Sequence, residues 1–132
     1  MTWRYVKELK SENLISDYER LKQCTFDDSF RKCVLANNGG RPEKSTFDTD
    51  KVKGRSFKTL LSFEKEDHET VWKALDLEKE KLGKKYAPFG IDNFGNLVCF
   101  DTENGKVVFI DHENMSVETI ADNFEAFING LY

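Results

Sequence analysis

The sequence predicts an α+β fold with a mainly antiparallel sheet, and three observations carry this. Three apolar bursts, Ala87 to Ile91, Leu97 to Phe100 and Val107 to Ile110, follow one another with only turn chemistry between them. The turns are Asp92-Asn93-Phe94-Gly95-Asn96, where Gly95 and either Asn tolerate positive φ, and Asn104-Gly105, a strong hairpin signal between apolar runs. Helical periodicity lies on both sides of this meander, in the order helices, strands, one intervening helix and a closing helix. The meander, at about residues 87–111, is expected to be the spine of the sheet. N-terminal helices, a middle helix at about 68–82 and a C-terminal helix at about 122–131 flank it. At 132 residues the chain reads as one domain, 1–132, long enough to bury roughly two-thirds of its unfolded surface.

Residues 3–23 read as helix in one or two pieces, with Ser11 able to cap and Leu14, Ile15, Tyr18 and Leu21 making an apolar stripe. Asp27 caps a second helix, with Asp28 in its first turn and Phe30, Cys33, Val34 and Leu35 as inward candidates. Asn37-Asn38-Gly39-Gly40 stops that helix through a left-handed residue, and Pro42 forbids resumption. The polar stretch 43–55 suggests a short edge strand around Ser45 to Phe47 and an exposed loop. Ser56 to Glu64 reads as a strand with Phe57, Thr59, Leu61 and Phe63 on one face, although Leu60 interrupts the alternation. Asp67 to Gly83 returns to helix, with Asp67 as cap, Val71, Trp72, Leu75 and Leu82 buried, and Gly83 as terminator. Its outer face carries Glu78, Lys79, Glu80 and Lys81, continuing into Lys84 and Lys85, as a solvated mixed-charge surface. Met115 to Ile120 can add a strand, and Asp122 then caps a last helix that docks Phe124, Phe127, Ile128 and Leu131.

Composition excludes several function classes. Eleven Phe residues and 39% hydrophobic content argue against disorder. No run of about 18 apolar residues is present, so no membrane span is expected, and Met1-Thr2-Trp3-Arg4-Tyr5 lacks the apolar core of a signal peptide. Cys24, Cys33 and Cys99 are odd in number and widely spaced, as expected of reduced thiols packing in a cytoplasmic protein rather than a disulfide or zinc framework. Net charge is −4, unevenly spread. Residues 86–132 hold one base, Lys106, against eight acids, a net of −7. Such a segment attracts a basic partner and repels nucleic acid, so direct DNA or RNA binding is not expected.

Asp111-His112-Glu113 is the one cluster with the look of chemistry. Strand alternation would put Asp111 and Glu113 on one face and His112 on the other, and His68 is the only other imidazole. A general-base or metal site would need ligands from elsewhere, so a structural or partner-contact role is the simpler expectation. Gly90 to Gly95 lacks the Lys-Ser/Thr of a phosphate loop, and no nucleophile elbow occurs. No enzyme, cofactor or metal is indicated.

The chain resembles the SUKH superfamily, in particular its branch related to fungal cell-wall-assembly and killer-toxin-resistance proteins. Asn38-Gly39-Gly40-Arg41-Pro42 after a short amphipathic helix is similar to the family's Asn-Gly-Gly-x-Pro signature. Pro88 to Cys99, with Gly90, Gly95 and Asn96, is similar to its central proline-to-Gly-Asn block. Val107 to Glu113 resembles its apolar strand ending in Asp111-His112-Glu113, and Ile120 to Ile128 its closing helix. Phe26-Asp27 departs from the Leu-Pro common there. The resemblance implies an α+β fold and a non-catalytic function: small bacterial members are similar to immunity proteins that bind and neutralise a cognate toxin, often a nuclease, in the cytoplasm. The family's binding residues vary, so none carries over. The Gly, Asn and Pro motifs are expected to determine the fold, and Asp92, Asp101, Glu103, Asp111 and Glu113 are the candidate partner contacts. The alternative is a regulatory interaction module unconnected with toxins.

Overall fold

The apolar bursts become neighbouring strands because the turns between them are short and rich in Gly and Asn. The computed structural model describes residues 1–77 and 79–132. Along the chain run β1 (Trp3–Arg4), α1 (Asn13–Lys22), α2 (Asp28–Asn37), β2 (Arg41–Pro42), β3 (Thr46–Phe47), β4 (Arg55–Ser56) and β5 (Thr59–Leu60). There follow α3 (Val71–Leu77), α4 (Lys79–Leu82), β6 (Tyr86–Ile91), β7 (Leu97–Asp101), β8 (Val107–Ile110), β9 (Val117–Ala121) and α5 (Phe124–Gly130). Strands β5 to β9 lie side by side in chain order, each antiparallel to the next. Two smaller ladders, β1 with β2 and β3 with β4, are also antiparallel. The fold is α+β with a mainly antiparallel sheet, as the patterning predicts. Among the described residues, no helix is long and apolar enough to cross a membrane.

The core is aromatic. Ten of the eleven Phe residues are buried. Phe30 meets Phe100 and Phe124 edge-on with centroids 4.9 and 5.0 Å apart, and Phe89 stacks on Phe100 at 4.4 Å. Such pairs contribute about 0.5–1.5 kcal/mol each beyond the area they bury. The meander is buried along β7 and β8 on both faces, so these strands read as continuous apolar runs. Tyr18 from α1 donates its hydroxyl to the Pro88 carbonyl (2.7 Å) beside a register shift between Pro88 and Gly90. A strand proline is tolerated at such a bulge because the ladder needs no N–H there.

The structure differs from the sequence patterning in several places, one of them Leu35, an inward candidate of α2 that faces water. Residues 3–12 are not helical: Trp3 and Arg4 pair with Pro42 and Arg41, and Lys7 N donates to the Asn38 carbonyl (2.7 Å), so non-local pairing overrides local propensity. The buried stripe of α1 is Ile15, Tyr18, Glu19 and Lys22, while Leu21 faces water. Glu19 is satisfied there by Arg31 and by Phe26 N (2.7 Å), and Lys22 Nζ donates to the Gly83 carbonyl (2.7 Å). The expected Ser56–Glu64 strand is split, with Ser56 ending β4 and Thr59–Leu60 forming β5; Phe57, Leu60, Leu61, Ser62 and Phe63 are all buried, so alternation fails. Two caps move by a few residues. Thr70 Oγ1 accepts from Lys73 N (3.0 Å) where Asp67 was expected, and Asn123 Oδ1 accepts from Ala126 N (2.7 Å) in place of Asp122. Asp27 caps α2 as predicted, accepting from Phe30 N (2.9 Å). Of the expected charged outer face, Lys79, Glu80, Lys81, Lys84 and Lys85 are exposed, and Glu78 lies outside the described residues.

Candidate functional site

Alternating hairpins send successive turns to opposite ends of a sheet. The β6–β7 turn (92–96) and the β8–β9 turn (111–116) therefore sit together at one end, and the β7–β8 turn (102–106) sits at the other. At about 3.4 Å per residue, the length of β7 separates the two ends by roughly 15–20 Å. The five candidate contact acids are thus divided, with Asp92, Asp111 and Glu113 at one end and Asp101 and Glu103 at the other. They do not form one patch.

They divide again by burial. Asp92 is 3% exposed, and its carboxylate accepts from Phe94 N, Asn96 N and Asn96 Nδ2, all at 2.8 Å. That carboxylate is occupied in holding a turn and is closed to a partner. Asp101 is 9% exposed and accepts from Glu103 N (3.0 Å) to shape the Asn104-Gly105 turn. Glu103 and Glu113 are exposed, and Asp111 is half-buried. Glu103 has only a loose pairing with Lys85, at 3.8 Å.

Asp111, His112 and Glu113 lie in a turn beyond the end of β8, so strand alternation does not order them. Asp111 Oδ1 accepts from Glu113 N (2.9 Å), and the Asp111 backbone closes the loop with Ser116 O and Met115 N. His112 N donates to Asn96 Oδ1 (3.1 Å), and its Nε2 lies 3.0 Å from the Phe94 carbonyl. A carbonyl only accepts, so that nitrogen carries a proton in this contact. The imidazole thus ties the two neighbouring turns together. Gly95, at φ +86°, lets the chain reverse beneath it, and the nearest atom a side chain there would meet is His112 Nε2 at 3.7 Å. Among the described residues, no group of three or more His, Cys, Asp or Glu is arranged to hold a metal ion.

The tip so built displays one residue the sequence patterning passes over. Phe94 stands at its apex and is 76% exposed. A clue was available in the turn itself, where an aromatic occupies a position that polar residues normally fill.

The other expected fold motifs lie in the interior. Asn38 is 1% exposed and works with both ends of its amide: Oδ1 accepts from Phe63 N (2.9 Å), and Nδ2 donates to Ser62 Oγ (3.0 Å). Gly39 takes φ +67° with Lys7 against it. Gly40 brings its carbonyl to Leu60 N (2.9 Å), joining β2 to β5 beside the buried Pro42. At Gly90 a Cβ would lie 2.3 Å from the Phe57 ring.

The family described as SMI1-KNR4 cell-wall (SUKH_6) matches residues 12–128. The chain belongs to that family. The matched span takes in the Asn38-Gly39-Gly40 turn, both hairpin tips and the closing helix of this SMI1-KNR4 domain. A relative from Bacillus subtilis (strain 168), the SPbeta prophage-derived uncharacterized protein YokK, is 33% identical over 69 residues. That alignment takes in 49% of this chain and 36% of the relative, so the chain matches about a third of that protein's length.

Three half-buried or buried thiols complete the inventory, and all are free. Burial pushes Cys99 well above the ordinary thiol range and Cys33 up to about 11, and it raises Cys24 as well. None is activated as a nucleophile.

Proposed function

We propose that this SMI1-KNR4 domain acts as a cytoplasmic immunity protein, binding a cognate toxin stoichiometrically and performing no chemistry itself. The target class is a basic toxin, such as a nuclease domain that must itself attract nucleic acid. The observation that supports the reading most directly is the charge that reaches water in residues 86–132. There Glu103, Asp111, Glu113, Glu118, Asp122 and Glu125 are exposed or half-buried, against the single base Lys106. Asp92 and Asp101 contribute by shaping the turns that present these neighbours.

Such a surface speeds encounter with a basic partner and, once docked, lays carboxylates over the lysines and arginines that would grip phosphates. The test is co-expression with the toxin domain encoded beside its gene, scored by growth, together with association rates at two salt concentrations. Rescue is expected, and the on-rate should fall about tenfold or more between 50 and 500 mM salt, because salt shortens the range over which the exposed acids attract a basic partner. An on-rate indifferent to salt removes the electrostatic part. Binding without rescue would favour the non-inhibitory interaction module.

A further inference from the structure

We propose that Phe94 is the anchor residue of the interface with that partner, and that the β6–β7 and β8–β9 turns form a preformed docking tip around it. This rests on the neutralisation reading and specifies its contact. Of eleven Phe residues, ten are buried at 7% exposure or less and Phe94 alone stands out in water. Its backbone is nonetheless held at both its N–H and its carbonyl. The Asp92 carboxylate takes Phe94 N, and His112 takes the Phe94 carbonyl. Asn96 bridges Asp92 to His112. The Asp92–Asn96–His112 network that shapes the two turns thus also fixes the backbone from which this apolar ring stands out into solvent. Rigid, exposed aromatics set in this way lose little conformational freedom on binding, and they recur as the residues that dominate interface energetics.

The surroundings define the partner's chemistry. Glu113 and Asp111 flank the tip, and neither turn carries a Lys or Arg. Beside it lies a depression of about 210 Å³ with Leu61, Ala74, Ile91 and Leu97 on its apolar side and Glu69 and Lys73 on its polar side, the lysine held by the Asp67 and His68 carbonyls. The matching surface is a protein face with an apolar recess for the Phe94 ring, lysine or arginine beside that recess to meet the two carboxylates, and one apolar side chain to enter the depression. This is charge complementarity to a basic protein at a place where the acids alone would give steering but little grip.

The test measures the affinity of the neighbouring-gene toxin domain for the full chain and for Phe94→Ala, Glu113→Gln, Leu21→Ala and Leu35→Ala. The last two truncate exposed apolar residues on other faces and serve as controls. Phe94→Ala is expected to keep its melting temperature and weaken binding by about 30-fold or more, mostly through faster dissociation. Glu113→Gln should lower the association rate about threefold at low salt, and the two controls should bind within threefold of the unaltered chain. Phe94→Ala binding within threefold overturns the proposal while leaving the neutralisation reading intact. No binding by the unaltered chain overturns both. If light scattering shows the unaltered chain to be a dimer that Phe94→Ala turns into a monomer, with toxin affinity unchanged, the ring's occupant is a second copy and the proposal fails.

Discussion

Gly90→Ala tests the packing argument most sharply. A methyl group at Gly90 would sit 2.3 Å from Phe57 Cε2 and 2.7 Å from Cζ, where carbon atoms in contact need about 3.5 Å or more. One of the two must therefore move by more than about 1 Å. Phe57 has no room to give: it is 0% exposed and its ring meets Phe127 at 5.4 Å. The strand cannot easily back away either, because Gly90 pairs with Leu60 on one side and Val98 on the other. Overpacking at such a site costs about 1–3 kcal/mol, and the upper half of that range is expected here. For a chain of this length that is about 8–12 °C in melting temperature. Urea denaturation of Gly90→Ala, Phe57→Leu and the double variant separates the clash from general damage. Leucine lacks the offending ring atoms, so Gly90→Ala in the Phe57→Leu background should cost at least about 1 kcal/mol less than it does alone. Additive losses, or a Gly90→Ala loss below 0.5 kcal/mol, would refute the reasoning.

Three further outcomes follow from buried polar groups. Asp92→Ala leaves Phe94 N and Asn96 N without their acceptor and should cost about 2–4 kcal/mol by urea denaturation, with Asp92→Asn falling between. Asn38→Leu strips buried Phe63 N of its acceptor and removes one of the three hydrogen bonds of Ser62 Oγ, and should cost at least about 2 kcal/mol, read as a lowered urea midpoint. Alkaline pH should weaken the fold, as followed by urea midpoints from pH 8 to 10.5. The pKa values of Tyr18, Cys24, Cys33 and Cys99 are all raised by burial, so these groups hold their protons in the fold, whereas the unfolded chain ionises from its ordinary values of 9.0 for thiols and 10.0 for the phenol. Stability is then complete below about pH 9 and declines above it. Tyr132, raised chiefly by its hydrogen bond to Asp48, adds to the decline, while Lys22, lowered by burial, acts in the opposite direction as one group against five, so a midpoint that climbs with pH would contradict the assignment.

What the sequence disclosed was whatever local chemistry decides. The meander was legible to within a residue because Asn-Gly and Gly-Asn turns and unbroken apolar runs need no distant partner. The Asp27 cap was legible for the same reason. Residues 3–12 were misread because their fate depends on pairing with Arg41 and Pro42, nearly forty positions away. Ser56–Glu64 was misread because it is enclosed on every side, which erases alternation. The contact acids were readable as a charge but not as a surface. Only the fold reveals that Asp92 faces inward, and that the arithmetic of hairpins parts Asp101 and Glu103 from Asp111 and Glu113. Phe94 was hidden by its type, since an aromatic residue is normally assigned to the interior by default.

The aromatic core also ties together parts of the chain that are far apart in sequence. Phe26 and Phe30 leave the ribosome early, yet the rings they close on, at Phe89, Phe100 and Phe124, are synthesised some sixty residues or more later. Strands β6 to β9 pair in chain order through local hairpins, whereas the cover over their aromatic face comes from the distant first third of the chain. A fragment stopped short of β6 would leave Phe26 and Phe30 with only each other, Tyr18 and Phe63 as ring partners, and so with part of their apolar surface in water.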